Sequence, residues 1–346
     1  MSAHRARVAL VTTGGTIASV SAERSAPPKA ALGVQDLLRP LAADPHYEIV
    51  HSVEAANLNS WNMSIPQMLD VARAVQACVS RTGIDGVVVT HGTDTLEETA
   101  FFVDAALATP KPIVFTGAMR TADARDPDGP ANLQDALRAA AAPDLWDTGA
   151  SVCMAGEIHA ARSVRKVHTR RLDALASPGD SLLARVGPTG VVRVHQAALP
   201  GWTFRGVLES WPSPQVPLIY PYTGISTAVI EALVAATEPE GVVMGGFGLG
   251  HFAGDAVEPL LRLVDRGVVV VMATRVLGGG ASPVYGGAGG GLHLRDAGVL
   301  SAGTLPPEKA RLLLMLCLAE GTPARAGERF TEAIRKLGRD VPQGEA

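Results

Sequence analysis

Val8-Ala-Leu-Val-Thr-Thr-Gly-Gly-Thr-Ile-Ala-Ser19 is the stretch from which the rest of the chain can be read. Val8 to Val11 is a short apolar run with β-branched residues, the pattern of a buried strand. The run stops at Gly14-Gly15, a pair that tolerates backbone angles closed to other residues. Thr16 follows directly, so its hydroxyl is expected at the carboxyl end of a first parallel strand. Open α/β sheets bind ligands at that end. Taken alone, the turn is equally a strand-to-loop connection whose threonines bond their own backbone.

A second stretch repeats the arrangement. Gly86-Val-Val-Val-Thr90 reads as a central strand, and it runs into His91-Gly-Thr-Asp-Thr-Leu-Glu-Glu98. Both hydroxyl-bearing turns follow apolar strands, so both are expected at the same sheet edge. Thr95 and Glu98 have the spacing of a capping box, and His91 is read as bracing the turn. A threonine hydroxyl is a poor nucleophile without a nearby base. Asp94 holding a lysine ammonium meets that need, with the lysine exchanging the hydroxyl proton if its pKa is lowered. Lys111 precedes a strand and so stands at its wrong end. Lys166, in a polar segment with Arg162, Arg165 and His168, is the better candidate.

Strand and helix alternate around these turns. Helices are expected over Val34 to about Ala43, from a Ser64 cap to about Ser80, and from Asp128 to Ala140. Strands are expected over Tyr47 to Val53, Pro112 to Thr116 and Ser151 to Ala155, with a polar turn over 57–63. Val20 to Gly33 reads as a polar loop that serves as an active-site flap or as a disordered insertion. This is an α/β pattern: a larger N-terminal domain with a mostly parallel sheet flanked by helices, and a smaller C-terminal α/β domain. A proline- and tryptophan-bearing segment, 196–217, is expected as the linker, giving domains 1–195 and 218–346. Strands at Leu218–Tyr220, Gly241–Met244 and Val268–Met272 belong to the second domain. Pro306 to Ala319 is expected as a helix with an apolar stripe through Ala310, Leu313, Leu314 and Cys317.

Composition narrows the function. With 346 residues, 47% hydrophobic and 18% charged, a sizeable core is possible. A net charge of −4 without like-charge runs, and only 4% aromatics, argue against a nucleic-acid surface. No window has the length of an apolar membrane span, and the N-terminus lacks a signal-peptide pattern, so a cytoplasmic protein is expected. Cys78, Cys153 and Cys317 are dispersed, which suits a reducing compartment and excludes a cysteine metal cluster. His159, His168, His251 and His293 lack the spacing of a metal site. The glycines of 278–291 are not followed by Lys-Ser or Lys-Thr, and no helix is expected to open there, which argues against a phosphate loop. A nucleotide-binding turn would also need a third glycine and a later acid.

Thr12-Thr-Gly-Gly-Thr-Ile-Ala-Ser19 and Val89-Thr-His-Gly-Thr-Asp-Thr-Leu-Glu-Glu-Thr99 resemble the two signature segments of the bacterial-type L-asparaginases. Gly117-Ala-Met-Arg120 with Asp128-Gly-Pro130 and Asn132 is similar to the family's next segment, and 301–311 resembles its C-terminal helix start. All four occur in order. The resemblance implies an amidohydrolase that converts asparagine to aspartate and ammonia without a metal or other cofactor. It implies Thr16 as nucleophile, forming a β-aspartyl ester, and Thr93, Asp94 and Lys166 as the proton-transfer cluster. Asp94 would also hold the substrate's α-amino group and Ser60 its α-carboxylate, with Gly15, Gly92 and Thr93 at the substrate. A homodimer or homotetramer is implied, with sites where an N-terminal domain meets a partner's C-terminal domain. A broader glutaminase-asparaginase, and a non-catalytic sensor of asparagine or aspartate, are the alternatives. An amidotransferase subunit that resembles the family is less expected, because it carries an extra N-terminal domain. The sequence departs from the pattern in lacking a flap tyrosine between Ile17 and His46 and in placing Trp61 where many members have glutamine. It also lacks the acidic residue expected within 278–291, for which Tyr285 or His251 would be the substitutes.

Overall fold

Unbroken apolar runs bounded by glycine or threonine become strands buried on both faces, and they set the architecture. The computed structural model describes residues 5–21, 27, 29–179, 182–187, 190–195 and 203–338. It divides into two compact units, Met1–Leu199 and Pro200–Ala346.

In the first unit, β1 (Ala6–Gly14) leads through a short turn of 3-10 helix, Thr16–Ala18, into a hairpin of β2 (Ser19–Val20) and β3 (Lys29–Ala30). Then come α1 (Val34–Leu38), β4 (Tyr47–Leu58), α2 (Ile65–Val79), β5 (Gly86–Thr90), α3 (Leu96–Ala106), β6 (Ile113–Thr116) and α4 (Gly129–Ala140). The unit continues with β7 (Ala150–Met154), β8 (Glu157–Ala160), β9 (Arg165–Lys166), β10 (Leu175–Ala176), β11 (Ala184–Gly187) and β12 (Gly190–Arg193). Eight strands form one sheet in the order β12-β11-β8-β7-β6-β5-β1-β4. From β4 to β7 the neighbours run parallel; β8, β11 and β12 add an antiparallel margin. Val8, Leu10, Val88 and Val114 pack with Leu133, Ala136 and Leu137 of α4. The alternate residues Ala9, Val11, Val87, Val89 and Phe115 are equally buried, as a sheet covered on both faces requires.

Several expected elements take a different form. The loop at 20–33 starts at the end of β2 and contains β3, which pairs back on β2, and Ser21 N–H donates to Asp123 at 2.9 Å; residues 22–26 and 28 lie outside the described set. Helix α1 stops at Leu38: Arg39 keeps helical angles and bonds back to the Gln35 carbonyl, but Pro40 has no N–H to continue the ladder. Strand β4 runs on to Leu58, so Asn57 and Leu58 extend the strand beside the end of β1 rather than forming a turn. Thr95 does not cap α3 with its side chain; its hydroxyl donates instead to the Ser60 carbonyl at 2.8 Å.

The second unit contains β13 (Leu218–Ile219), α5 (Thr227–Thr237), β14 (Gly241–Gly246), α6 (Glu258–Asp265), β15 (Val269–Thr274) and α7 (Gly291–Asp296), followed by β16 (Leu300–Ser301), α8 (Pro307–Ala319) and α9 (Pro323–Gly338). Its four strands are parallel, in the order β13-β14-β15-β16. A helix does open after the glycine-rich segment, contrary to expectation: Gly290 is extended and α7 begins at Gly291. Helix α8 is buried nearly all round, Lys309 included, rather than along a stripe. Residues 196–202 of the expected linker lie outside the described set. Beyond them Phe204 and Val207 are buried, and the Arg329 guanidinium lies 4.5 Å from the Phe204 ring centre.

Candidate active site

Parallel pairing places Thr12 opposite Thr90 and Thr90 opposite Thr116, so the turns after β1 and β5 leave neighbouring strands at one level. The first turn needs its glycines. Gly14 and Gly15 have φ of 90° and 82°, and a Cβ on Gly15 would lie 2.5 Å from Gly92 Cα. The two turns therefore touch at Gly15 and Gly92, and each contact residue is followed at once by a threonine, Thr16 or Thr93. Thr13 ties the turns further, donating to the Thr90 carbonyl at 2.9 Å. Thr16 opens the turn of 3-10 helix, half-buried and held by the buried Ile17 and Ala18 behind it.

In the second turn His91 is fully buried, and its Nδ1 lies 2.7 Å from the Gly92 carbonyl. Burial pushes its pKa down to about 4, so the ring is neutral near pH 7 despite the opposing pull of that carbonyl. It is a brace and is poorly placed to carry charge. A Cβ on Gly92 would meet Ser60 Oγ at 2.6 Å. The Ser60 hydroxyl accepts a hydrogen bond from Asp94 N–H at 3.2 Å, which leaves its own proton available to donate.

Lys166 comes from β9. Its Nζ donates to Thr93 Oγ1 at 2.9 Å and to Asp94 Oδ1 at 2.6 Å. Thr93 is buried, and the Asp94 carboxylate is 45% exposed, so this acid is open to a ligand. Among the candidate residues, Thr93, Asp94, Lys166 and Ser60 are joined by direct hydrogen bonds, and the Gly15–Gly92 approach sets the turn that carries Thr16 against the turn that carries Thr93. Lys111 stands elsewhere: its ammonium caps the C-terminal end of α2 through the Val79 carbonyl at 2.7 Å. Two features are visible only in the structure. Glu97, buried in the first turn of α3, accepts the backbone N–H of Lys166. Asp128 accepts the backbone N–H groups of Met119 and Arg120, at 2.9 Å each, fixing the loop after β6. Both acids precede or open a helix, which in sequence looks like ordinary helix-start chemistry.

A family model described as "Asparaginase, N-terminal" matches residues 7–199, and one described as "Glutaminase/Asparaginase C-terminal domain" matches 215–330. The chain belongs to the asparaginase family. A probable L-asparaginase of Deinococcus radiodurans is 37% identical, the match covering 96% of this chain and 100% of that protein. A glutamyl-tRNA(Gln) amidotransferase subunit of Haloquadratum walsbyi is 34% identical, over 97% of this chain and 76% of that longer protein. The crystal structure of a probable cytoplasmic L-asparaginase from Campylobacter jejuni is similar with a TM-score of 0.82 at 30% identity, covering 94% of this chain and 99% of that one.

The turns after β1 and β5 carry Thr16, Thr93 and Asp94, and β9 brings Lys166 to Thr93 and Asp94. Trp61 is 66% exposed. In the second unit Tyr285 meets the His251 ring edge-on, with centroids 5.3 Å apart. His159 is buried with Nδ1 3.0 Å from Ser177 Oγ, and His168 and His293 accept backbone N–H groups. Among the described residues there is no group of three or more His, Cys, Asp or Glu side chains that could hold a metal ion, and no helix is long and apolar enough to cross a membrane.

Proposed function

We propose that the chain is an L-asparaginase that converts L-asparagine to L-aspartate and ammonia through an ester on Thr16. The observation that carries this reading is the Thr93–Lys166–Asp94 cluster beside the Thr16 turn. Thr16 Oγ attacks the side-chain amide carbon, and its proton passes to the leaving nitrogen. The C–N bond breaks and ammonia departs. Water then adds to the β-aspartyl ester, the C–O bond to Thr16 breaks, and aspartate leaves with the hydroxyl restored. Lys166, held by Thr93 and Asp94, handles the protons in both halves. Backbone N–H groups around Thr93 bind the oxyanion, each donor worth roughly 3–4 kcal/mol. Asp94 takes the α-amino group, and the Ser60 proton serves the α-carboxylate. The enzyme acts without a metal or organic cofactor, in the cytoplasm, as a homodimer or homotetramer.

Glutamine is the second substrate to consider, because the C-terminal family model is described by both activities. One methylene separates the two amides, and a pocket discriminates that by only about 1–3 kcal/mol. Ammonia release from asparagine, glutamine and D-asparagine tests the reading. Wild-type protein is expected to release ammonia from L-asparagine, and Thr16→Ala to lose at least about a thousandfold in rate. Saturable binding of asparagine without ammonia would instead make the protein a sensor.

A further inference from the structure

We propose that Glu97 is a positioning residue that fixes where the Lys166 ammonium stands; this rests on the reading of Lys166 as the proton-transfer group. Thr93 and Asp94 lead directly into α3, and Glu97 lies in the first turn of that helix. Its carboxylate is buried and accepts the Lys166 backbone N–H. The Lys166 side chain then returns to Thr93 and Asp94 at the start of the same helix. The contacts close a ring: helix start, Glu97, Lys166 main chain, Lys166 ammonium, helix start. The strand that carries Lys166 is only two residues long, and its ladder partners among the described residues are Leu175 and Ala176. The next residue, Val167, donates to the Ala174 carbonyl at 2.8 Å, while the N–H of Lys166 itself goes to Glu97, which ties this position to α3. A helix N-terminus stabilises the carboxylate in this place. Glu97 does not touch the substrate; it sets the distance between two groups that do.

The test compares Glu97→Ala, Glu97→Gln, Lys166→Ala and the Glu97→Ala/Lys166→Ala double variant. Glutamine keeps a side-chain oxygen that accepts the Lys166 N–H. With asparagine, Glu97→Ala is expected to lower kcat about 10- to 100-fold, with a much smaller change in KM, because misplacing a catalytic group costs on that order. Glu97→Gln is expected to recover most of the rate. In the Lys166→Ala background the Glu97→Ala change is expected to add nothing, since it acts through the missing lysine. Acetylation of Lys166 by acetic anhydride, followed by mass spectrometry, reads the same placement without turnover. It is expected to be faster in Glu97→Ala than in wild type and unchanged in Glu97→Gln. If Glu97→Ala does not fold, Glu97→Asp, which withdraws the acceptor by one methylene, replaces it with an intermediate effect expected. Unaltered kcat and acetylation in a folded variant, or an equal rate cost with and without Lys166, overturns the proposal. A wild-type protein that releases no ammonia contradicts the function above, and the acetylation comparison then decides the role of Glu97 on its own.

Discussion

His91 shows how one buried side chain makes the site depend on pH through stability alone. In the unfolded chain its ring takes up a proton as pH falls through about 6.5, whereas in the folded chain it resists until about 4. The contribution is therefore intact above the unfolded value and is lost as pH falls between those two points. The total is about 3 kcal/mol, by proton linkage over that shift. Unfolding free energies from urea melts at about pH 7 and about pH 4 are expected to differ less in His91→Gln than in wild type by roughly this amount. An equal acid loss in both proteins would show that the ring is not held neutral. Thr16, Thr93 and Asp94 stand out in the sequence beside glycine turns, and Lys166 follows from the need for a base, whereas Ser60 enters only through the family resemblance. Glu97 could not be named from either. A glutamate in a helix's first turn is common, and nothing in the sequence joins it to a lysine 69 residues on.

Helix α3 and the two turns explain which elements are readable from the sequence. Continuous runs such as Gly86–Thr90 and Val269–Thr274 declare themselves, since every residue in them is buried. The margin of β8, β11 and β12 does not: its strands have four residues each, and in β12 it is the apolar Val192 that is exposed. The Thr95–Glu98 spacing misleads for a physical reason. Thr95 has a competing acceptor in the Ser60 carbonyl, brought from a distant loop, and tertiary contact wins over the local cap. The contact between turns carries a prediction. Gly15→Ala places a methyl against Gly92 at a positive φ, and is expected to cost about 1–3 kcal/mol and to abolish turnover. Thermal unfolding and ammonia release measure both; a stable, active Gly15→Ala protein would mean the turns do not need this approach.

Across the whole molecule, the division into two α/β units follows from the strand and helix pattern on either side of a proline-rich segment. The second unit exposes Tyr222, Val276, Leu277, Val284 and Tyr285, each about half exposed or more, with Val284 at 56% and Tyr285 at 61%. Exposed apolar side chains mark an association surface where they form one contiguous patch. Sedimentation equilibrium is expected to give a whole multiple, above one, of the 35.8 kDa chain mass, and a monomer at micromolar concentration would contradict the proposed assembly. The central claim is that Thr16 takes the acyl group while the Thr93–Asp94–Lys166 cluster moves protons. It is tested most directly by mixing the protein with asparagine, quenching rapidly in acid and mapping the adduct by mass spectrometry. An aspartyl ester on the peptide carrying Thr16, absent in Thr16→Ala, is the predicted result. An ester on Thr93, or undiminished ammonia release from Thr16→Ala, would contradict it.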